Sequence, residues 1–250
     1  MRERILDSGL WITWYDLPAE GRDAYLSWLH ETYIPELLKR PGYRWAAHYA
    51  AVEKGARRTN ARDMRNTTDD ASVPRGDRYL LLFGAENADV FGDPVPSALH
   101  QESPAESRKM LAMRIGERVN IMAEAGRVEG PAARDYKGGM GLASCIQLGS
   151  YNCPWQHEEE MLAFYTQWRM PAMGRTPGCI RIRKLASVVG WAKHAILYEF
   201  VSLAARNQHF IGHEDGHPGM KAWGDRVTKT LIHAPGSSSL ACRIWPAVST

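Results

Sequence analysis

Residues 25–43 read YLSWLHETYIPELLKRPGY, and residues 161–179 read MLAFYTQWRMPAMGRTPGC. At an offset of 136 residues, Trp28 aligns with Phe164, and further upstream Tyr15 aligns with Tyr151. Three Pro and Gly positions of the two stretches also coincide: Pro35, Pro41 and Gly42 with Pro171, Pro177 and Gly178. Matches that recur in order at one offset predict a duplicated structural unit.

A further match lies near the end of each half. Ile115-Gly-Glu-Arg-Val119 aligns with Trp223-Gly-Asp-Arg-Val227, now at an offset of 108. If this match belongs to the repeat, the first half carries extra loop residues. The polar, charged segment 54–77 is the obvious place for them, either as a surface loop or as a lid over a cavity.

Each half predicts the same order of secondary structure. Short apolar runs that end at turn residues predict strands, and apolar residues spaced by three and four predict amphipathic helices. In the first half the predicted strands are 10–15, 44–52, 78–83 and 125–128, with helices at 19–33 and 104–124. In the second half the strands are 146–151, 179–189, 194–200 and 240–245, with helices at 156–169 and 218–232.

The order βαββαβ is the ferredoxin-like arrangement, in which two helices cover one face of an antiparallel sheet. Two copies can bury their bare faces against each other. We therefore predict an α+β fold in which two fused ferredoxin-like repeats form an intramolecular α+β barrel around a cavity. The first repeat is assigned to residues 1–130, the second to 142–250, and the Gly-rich segment 131–141 is the connector; two independent domains are the alternative.

The composition excludes several classes of protein. Hydrophobic residues make up 44% of the chain and charged residues 24%, with a formal charge of +3, so neither disorder nor a nucleic-acid-binding surface is indicated. There is no apolar run long enough for a membrane span and no recognisable signal peptide. Four scattered cysteines without paired spacing fit reduced thiols, so we expect a cytoplasmic protein.

The segment Trp28-Leu-His-Glu-Thr-Tyr-Ile-Pro-Glu36, followed by Arg40-Pro-Gly-Tyr43, resembles the first helix and turn of the dimeric α+β barrel superfamily, in particular its EthD-like group. The second half resembles it more loosely. Where the family pattern carries histidine, this sequence has Tyr33 and Arg169, and where it carries aspartate, it has His30 and Thr166. The superfamily includes cofactor-free monooxygenases, isomerases, cyclases, decarboxylases and haem enzymes, so the resemblance implies a small-molecule pocket without fixing the reaction.

Three residues at the end of the first helices are the predicted catalytic group. His30 and Tyr33 share a helix face and could act as an acid–base pair near neutral pH. Arg169 occupies the equivalent position in the second half and could hold a carboxylate. Alternation along the strands and the neighbouring aromatic residues then predict the substrate-binding set: Trp11, Tyr15, Trp45, Tyr49, Tyr151, Trp168, Arg183 and His217.

The remaining charged and histidine residues have structural explanations. Arg181, Arg183 and Glu199 predict an internal salt bridge, with a substrate clamp as the alternative. His48 falls on the opposite strand face and is expected to be a satisfied histidine under a helix. One cluster could ligate a metal: His209, His213, Glu214, Asp215 and His217. A histidine could also ligate haem. The glycines between these residues predict a loop rather than the helix of a zinc-protease motif.

Together these features predict a cofactor-independent lyase or isomerase that acts on a small aromatic or polyketide-like acid. The alternatives are a non-catalytic small-molecule binding protein and a haem- or metal-dependent oxidoreductase of the same fold. We expect no cofactor, no nucleic-acid or membrane partner, and a possible homodimer formed through free strand edges.

Overall fold

The computed structural model describes residues 7–52, 66–136, 143–214 and 216–248. The first repeat contains strand β1 (Gly9–Asp16), helix α1 (Arg22–Trp28), a π-helical turn (Leu29–Tyr33), helix α2 (Ile34–Leu38), and strands β2 (Tyr43–Ala51), β3 (Asn66–Thr67) and β4 (Tyr79–Ala85). A 3-10 turn (Ala88–Gly92), helices α3 (Pro96–Glu102) and α4 (Ala105–Leu111), and strand β5 (Ile115–Glu129) complete it.

The second repeat has the same order after a 3-10 turn (Pro131–Ala133) that follows β5. It contains strand β6 (Cys145–Asn152), a 3-10 turn (Trp155–His157), helix α5 (Glu158–Phe164), a π-helical turn (Tyr165–Arg169), helix α6 (Met170–Met173), and strands β7 (Cys179–Val189) and β8 (His194–Phe200). Helices α7 (Leu203–His209) and α8 (Pro218–Thr230) and strands β9 (Ile232–His233) and β10 (Ser239–Trp245) complete it.

Eight strands close into one antiparallel barrel. Its order is β10-β2-β4-β1-β5-β7-β8-β6, and β6 pairs with β10 to close the circle. Within each repeat the order is that of a ferredoxin-like sheet, and the repeats join at the β5–β7 and β10–β2 pairings. The predicted fold of two fused repeats in one α+β barrel is confirmed. Because the barrel strands pair on both sides, free edges of the barrel cannot be the basis of the expected homodimer, which stays a prediction.

Side chains fill the inside of the barrel. The buried cluster there comes from strands of both repeats and from the segment after β5, and includes Leu10, Ile12, Trp14, Trp45 and Tyr49. The cavity predicted between the two bare sheet faces is therefore occupied by packed side chains, mostly apolar but including the buried charges Asp7 and Arg183. Trp45 and Tyr49 lie inside the barrel, as expected, but β1 faces the other way from the prediction.

The helices cover the outside of the barrel and form two further clusters. Trp11 and Tyr15 of β1 pack against Tyr25 and Leu29 of the first helix. In the second repeat, Tyr151 packs on the helix side in the same manner. The assignment of Trp11, Tyr15 and Tyr151 to the inner face is wrong. Tryptophan occurs on both faces of β1, with Trp14 inside the barrel, so aromatic content alone does not distinguish the faces.

The Pro-Gly turns after the first helices are equivalent in the two repeats. Gly42 and Gly178 have φ angles of 84° and 75°, in the left-handed region that favours glycine. A Cβ at either position would also lie within 3 Å of a neighbouring side chain, Val90 or Ala205. The Pro-Gly match between residues 41–42 and 177–178 is therefore explained by the structure, because both turns require glycine at the same position.

The end of the first repeat differs from the prediction. The helix expected over 104–124 ends at Leu111, and β5 begins at Ile115, well before the expected strand at 125–128. Pairing with β1 and β7 on its two sides makes this segment a strand. The sequence match between 115–119 and 223–227 is thus coincidental, because the first segment is in β5 and the second in α8.

Two expectations fall partly outside the described residues. The surface loop or lid expected at 54–77 includes residues 54–65, which the structure does not describe. The connector 131–141 includes 137–141, which it also does not describe. The described part of the first segment contains β3, which pairs in parallel with β9. Among the described helices none has the length and apolar character that crossing a membrane requires.

Candidate active site

The first helix of each repeat widens into a π-helical turn just before its proline. Ile34 donates its N–H to the carbonyl of Leu29, five residues back, and Met170 does the same to Tyr165. Proline lacks the N–H that would continue the α-helix and its ring crowds the preceding turn, which favours the wider hydrogen bond. The predicted catalytic residues all lie in these two turns.

A chain of hydrogen-bonded rings connects the sheet to the first π-helical turn. The Tyr15 hydroxyl lies 2.8 Å from Nε2 of His48, and Nδ1 of His48 lies 2.8 Å from Nε2 of His30. His48 is fully buried on β2, whereas His30 is partly exposed and lies beside the Trp245 ring. His48 lies under the helix, as predicted, but its link to the predicted acid–base residue was not foreseen.

The hydrogen bonds determine which nitrogen of His30 is free. Tyr15 also lies beside Tyr25, with ring centroids 5.9 Å apart, and a Tyr15 hydroxyl that donates to Tyr25 accepts a proton from His48 Nε2. In that arrangement His48 Nδ1 accepts a proton from Nε2 of His30. Nδ1 of His30 is left with a lone pair, and no partner for it is recorded among the described residues.

Burial keeps both histidines neutral. It lowers the His48 pKa well below its ordinary value, and the nearby His30 and Arg114 lower it further. Burial also lowers the His30 pKa, against a smaller opposite effect of Glu31. A neutral imidazole with an unengaged nitrogen is a general base at neutral pH.

Arg114 is a buried cation at the inner end of this chain. Its Nε donates to the Tyr25 hydroxyl at 2.7 Å, and its Nη1 donates to Glu117 at 2.6 Å. The guanidinium lies 4.7 Å from the Tyr15 ring centroid and 5.8 Å from that of Tyr33. Its Nη2 is buried and has no hydrogen-bond partner within the described part of the chain.

Tyr33 does not join His30 but contacts a histidine that sequence reasoning missed. The Tyr33 hydroxyl lies 2.8 Å from Nε2 of His100 on α3. Burial, assisted by repulsion from Arg114, lowers the His100 pKa to about 4. No local pattern marks His100, because its contact depends on how α3 packs over the first helix.

The second repeat has an equivalent pair of different chemistry. Arg169 occupies the position of Tyr33, and its Nη1 lies 2.8 Å from Nε2 of His213. Its Nη2 lies 2.7 Å from Glu214, and His213 Nδ1 contacts the Phe210 carbonyl at 2.6 Å. Arg169 is thus held by partners of the second repeat, whereas His30 and Tyr33 contact His48 and His100, so the structure does not bring the three predicted catalytic residues together.

Two other predicted residues of the second repeat do lie together. Trp168 and His217 are 4.9 Å apart between ring centroids. Both line a cleft of about 220 Å³ together with Arg175 and His209. Their predicted role in binding substrate stays a prediction.

Inside the barrel, the predicted residues have protein partners. Trp45 donates to Asp7 at 3.1 Å, and Tyr49 donates to the Ala143 carbonyl at 3.1 Å. Arg183, with no exposed surface, contacts Asp7 at 3.3 Å and Glu124 at 2.5 Å. The further ion pair expected there also forms: Arg181 Nε lies 3.3 Å from Glu199.

The histidine cluster has no metal-binding arrangement within the described part of the chain. No group of three or more His, Cys, Asp or Glu side chains there could hold a metal ion. Both ring nitrogens of His213 are engaged, and Glu214 is paired with Arg169. Asp215, the remaining member of the expected cluster, lies outside the described residues.

Comparison with solved structures identifies the fold. The structure superposes on that of a protein assigned as a monooxygenase from Fusobacterium nucleatum, with a TM-score of 0.57 and 6% identity. The superposition covers 95% of this chain and 92% of the other. An anthrone oxidase-like protein matches with a TM-score of 0.53 and 10% identity, again over 95% and 92% of the two chains. A chlorite dismutase mutant from Candidatus Nitrospira defluvii matches over 95% and 91%, with a TM-score of 0.51 and 9% identity.

The fold is that of the dimeric α+β barrels. No protein-family model matches the sequence, and no curated protein matches it either. The finer assignment to the EthD-like group is not confirmed by these structures. At such low identities the likeness establishes the fold alone.

The predicted lyase or isomerase reaction is wrong on these comparisons. The similar structures are named as a monooxygenase, an anthrone oxidase-like protein and a chlorite dismutase, all of which are oxidoreductase names. They agree better with the alternative of an oxidoreductase of this fold. The prediction failed because its acid–base residues can begin several reactions, and only the choice of co-substrate separates a lyase from an oxygenase.

The histidines of the second-repeat cluster and His48 do not fit a haem ligand, the group which that alternative included. A haem ligand needs a free imidazole nitrogen facing a large cavity. His48 and His213 have both nitrogens engaged. His209 and His217 line a cleft of about 220 Å³, below the roughly 300–1,000 Å³ of pockets for drug-sized ligands.

Proposed function

We propose that this protein is an oxidoreductase that uses dioxygen to oxygenate a small, electron-rich aromatic substrate with an acidic C–H bond. The observation that carries the proposal is the hydrogen-bond chain from Arg114 through Tyr25, Tyr15 and His48 to His30. It leaves one neutral imidazole nitrogen free at a partly exposed edge between helix and sheet.

His30 is the general base of the proposed reaction. Its Nδ1 removes a proton from the activated methylene carbon of the substrate, which forms a resonance-stabilised carbanion. The chain behind His30 orients the ring and shares the proton that it gains, as an orienting partner does for a catalytic histidine. His48, Tyr15 and Arg114 are therefore positioning residues.

Dioxygen is the oxidant in this reaction. The carbanion reacts with O₂, one oxygen atom becomes the new carbonyl oxygen, and the other leaves as water with the two methylene hydrogens. A CH₂ group and O₂ thus give C=O and H₂O, so no external reductant is needed. The anthrone oxidase-like protein that shares the fold supports an anthrone-type substrate.

The surroundings of His30 suit an aromatic ring. The Trp245 ring lies nearly parallel to His30, at 21° and 6.0 Å between centroids. Both side chains are partly exposed, so a planar substrate at this edge would contact the base and an apolar ring together.

The test is oxygen consumption with anthrone as substrate, with ¹⁸O₂ labelling of the product. We expect equimolar O₂ uptake and one labelled oxygen in the quinone. His30→Ala should lower the rate by about 100-fold, whereas His157→Ala, at an exposed histidine, should not change it. No uptake by the wild-type protein, or full activity of His30→Ala, would refute the proposal.

The positioning role needs its own variant. Tyr15→Phe keeps the ring but removes the group that accepts from His48, so the kinetic pKa of the base should move and the rate should fall about tenfold. Tyr79→Phe is the matched control, because Tyr79 stacks on both Tyr15 and His48 without a recorded hydrogen bond of its hydroxyl to either. Identical pH–rate profiles for the two variants would contradict the role of Tyr15.

A further inference from the structure

We propose that the cleft of the second repeat is a separate binding site for a small planar organic anion, such as an aromatic carboxylate. The cleft lies between the end of the first helix of that repeat and the segment that joins α7 to α8. Its lining includes Trp168, Arg175, Thr176, His209, His213 and His217. This inference is independent of the oxygenation proposed for the first repeat.

The lining has more hydrogen-bond donors than the protein satisfies. Among the described residues, no side-chain hydrogen bond or ion pair is recorded for Arg175, His209 or His217. The Trp168 indole N–H is buried and has no acceptor among the side chains and backbone that the structure describes. Buried donors are normally paired, so a cleft with surplus donors is matched by a ligand that supplies oxygen acceptors.

The charge of the cleft favours an anion. Arg175 carries a permanent positive charge at the exposed rim. Glu214, the carboxylate that follows the lining residue His213 in the chain, is held by Arg169 at 2.7 Å. Arg169, which the sequence suggested as the anion anchor, is thus occupied, and Arg175 takes that role.

The shape of the cleft favours a small, flat ligand. Its volume of about 220 Å³ is below that of pockets for drug-sized molecules. The Trp168 indole forms one wall, with the His217 ring at 67° to it. One aromatic ring with a carboxylate could contact the indole face and the donors at the same time.

Calorimetric titration of the full chain with benzoate tests the inference. We expect one site with a Kd of about 1 mM. Arg175→Gln should weaken binding about tenfold because it removes a charge-assisted bond. Arg44→Gln, which makes the same change of charge in an exposed pair of the first repeat, should leave the Kd within about twofold.

Two further probes examine the ligand class. Neutral benzamide should bind at least about tenfold more weakly than benzoate. Inorganic phosphate should be weaker too, and Trp168→Phe should reduce the affinity for benzoate but not for phosphate. Equal affinity for benzamide, or tighter binding of phosphate than of benzoate, would overturn the assignment to planar anions.

The result can be separated from the fate of the proposed oxygenase. His30→Ala should bind benzoate like the wild-type protein, whether or not anthrone is oxidised. If His30→Ala abolishes benzoate binding and Arg175→Gln does not, the calorimetric site is in the first repeat and the inference about the cleft is wrong. Absence of saturable benzoate binding to the wild-type protein would also refute it.

Discussion

Replacing Arg183 by methionine should strongly destabilise the barrel, because this side chain joins charges that have no access to water. Its guanidinium has no exposed surface and contacts Asp7, which is equally buried, at 3.3 Å. It also contacts Glu124 at 2.5 Å and the backbone carbonyl of Asp7. Methionine fills a similar volume but cannot compensate either carboxylate.

The size of the effect follows from what remains after the substitution. Breaking a buried ion pair by removing one partner costs about 3–5 kcal/mol. Arg127 still contacts both Asp7 and Glu124, so the loss should lie near the lower end, about 3 kcal/mol. For a chain of this length, a loss of about 3 kcal/mol corresponds to a decrease in Tm of roughly 6–12 °C.

Urea denaturation followed by tryptophan fluorescence measures this change. The control is Arg226→Met, which removes an exposed pair with Glu160 whose side chains are 63% and 39% exposed. That variant should stay within about 1 kcal/mol of the wild-type protein. If Arg183→Met is no less stable than Arg226→Met, the buried network does not hold the barrel together and the reasoning is wrong.

A double variant identifies the origin of the loss. Asp7→Asn combined with Arg183→Met removes a charge of each sign, so it should be more stable than the sum of the two single changes predicts. Burial raises the Asp7 pKa, but the opposing effects of Arg183 and Arg127 prevail and lower it below its usual value. The stabilisation from ionised Asp7 is thus present above the usual pKa and is lost as the pH falls through the lowered one.

Three further predictions concern packing, titration and thiol reactivity. Gly84→Ala should destabilise the protein by about 1–3 kcal/mol in the same denaturation assay, because the added Cβ would lie 2.1 Å from the Trp45 ring. Gly92→Ala is the control and should be tolerated, because the space around Gly92 is open. The NMR resonance of His100, assigned from its loss in His100→Gln, should titrate with a midpoint near the pKa of about 4. Because the unfolded chain takes up this proton at higher pH, the folded protein should lose stability as the pH falls from the unfolded-state pKa toward 4. A midpoint near 6.5 would show that His100 is solvated. Cys242, whose pKa is lowered to about 7 by a hydrogen bond from the opposite thiol, should react fastest with a disulfide reagent at neutral pH, and Cys242→Ser should remove that fast phase.

The placement of the candidate base combines local and tertiary information. The prolines and their spacing placed His30 and Tyr33 at the end of a helix, because proline acts on the residues next to it. Their partners come from elsewhere in the chain: His48 from β2 and His100 from α3. Nothing in the local sequence could show that His30 and Tyr33 would point to different partners.

The sequence by itself determined the duplication, the two Pro-Gly turns and the ferredoxin-like order, because these depend on local backbone preferences and on apolar spacing. The tertiary structure alone decided which face of β1 lies inside the barrel and that residues 115–129 form a strand. Both depend on pairing and packing with segments distant in the sequence. It also decided that Arg169 is held by His213 and Glu214 while Arg175 is left free, since burial and pairing are properties of the folded chain.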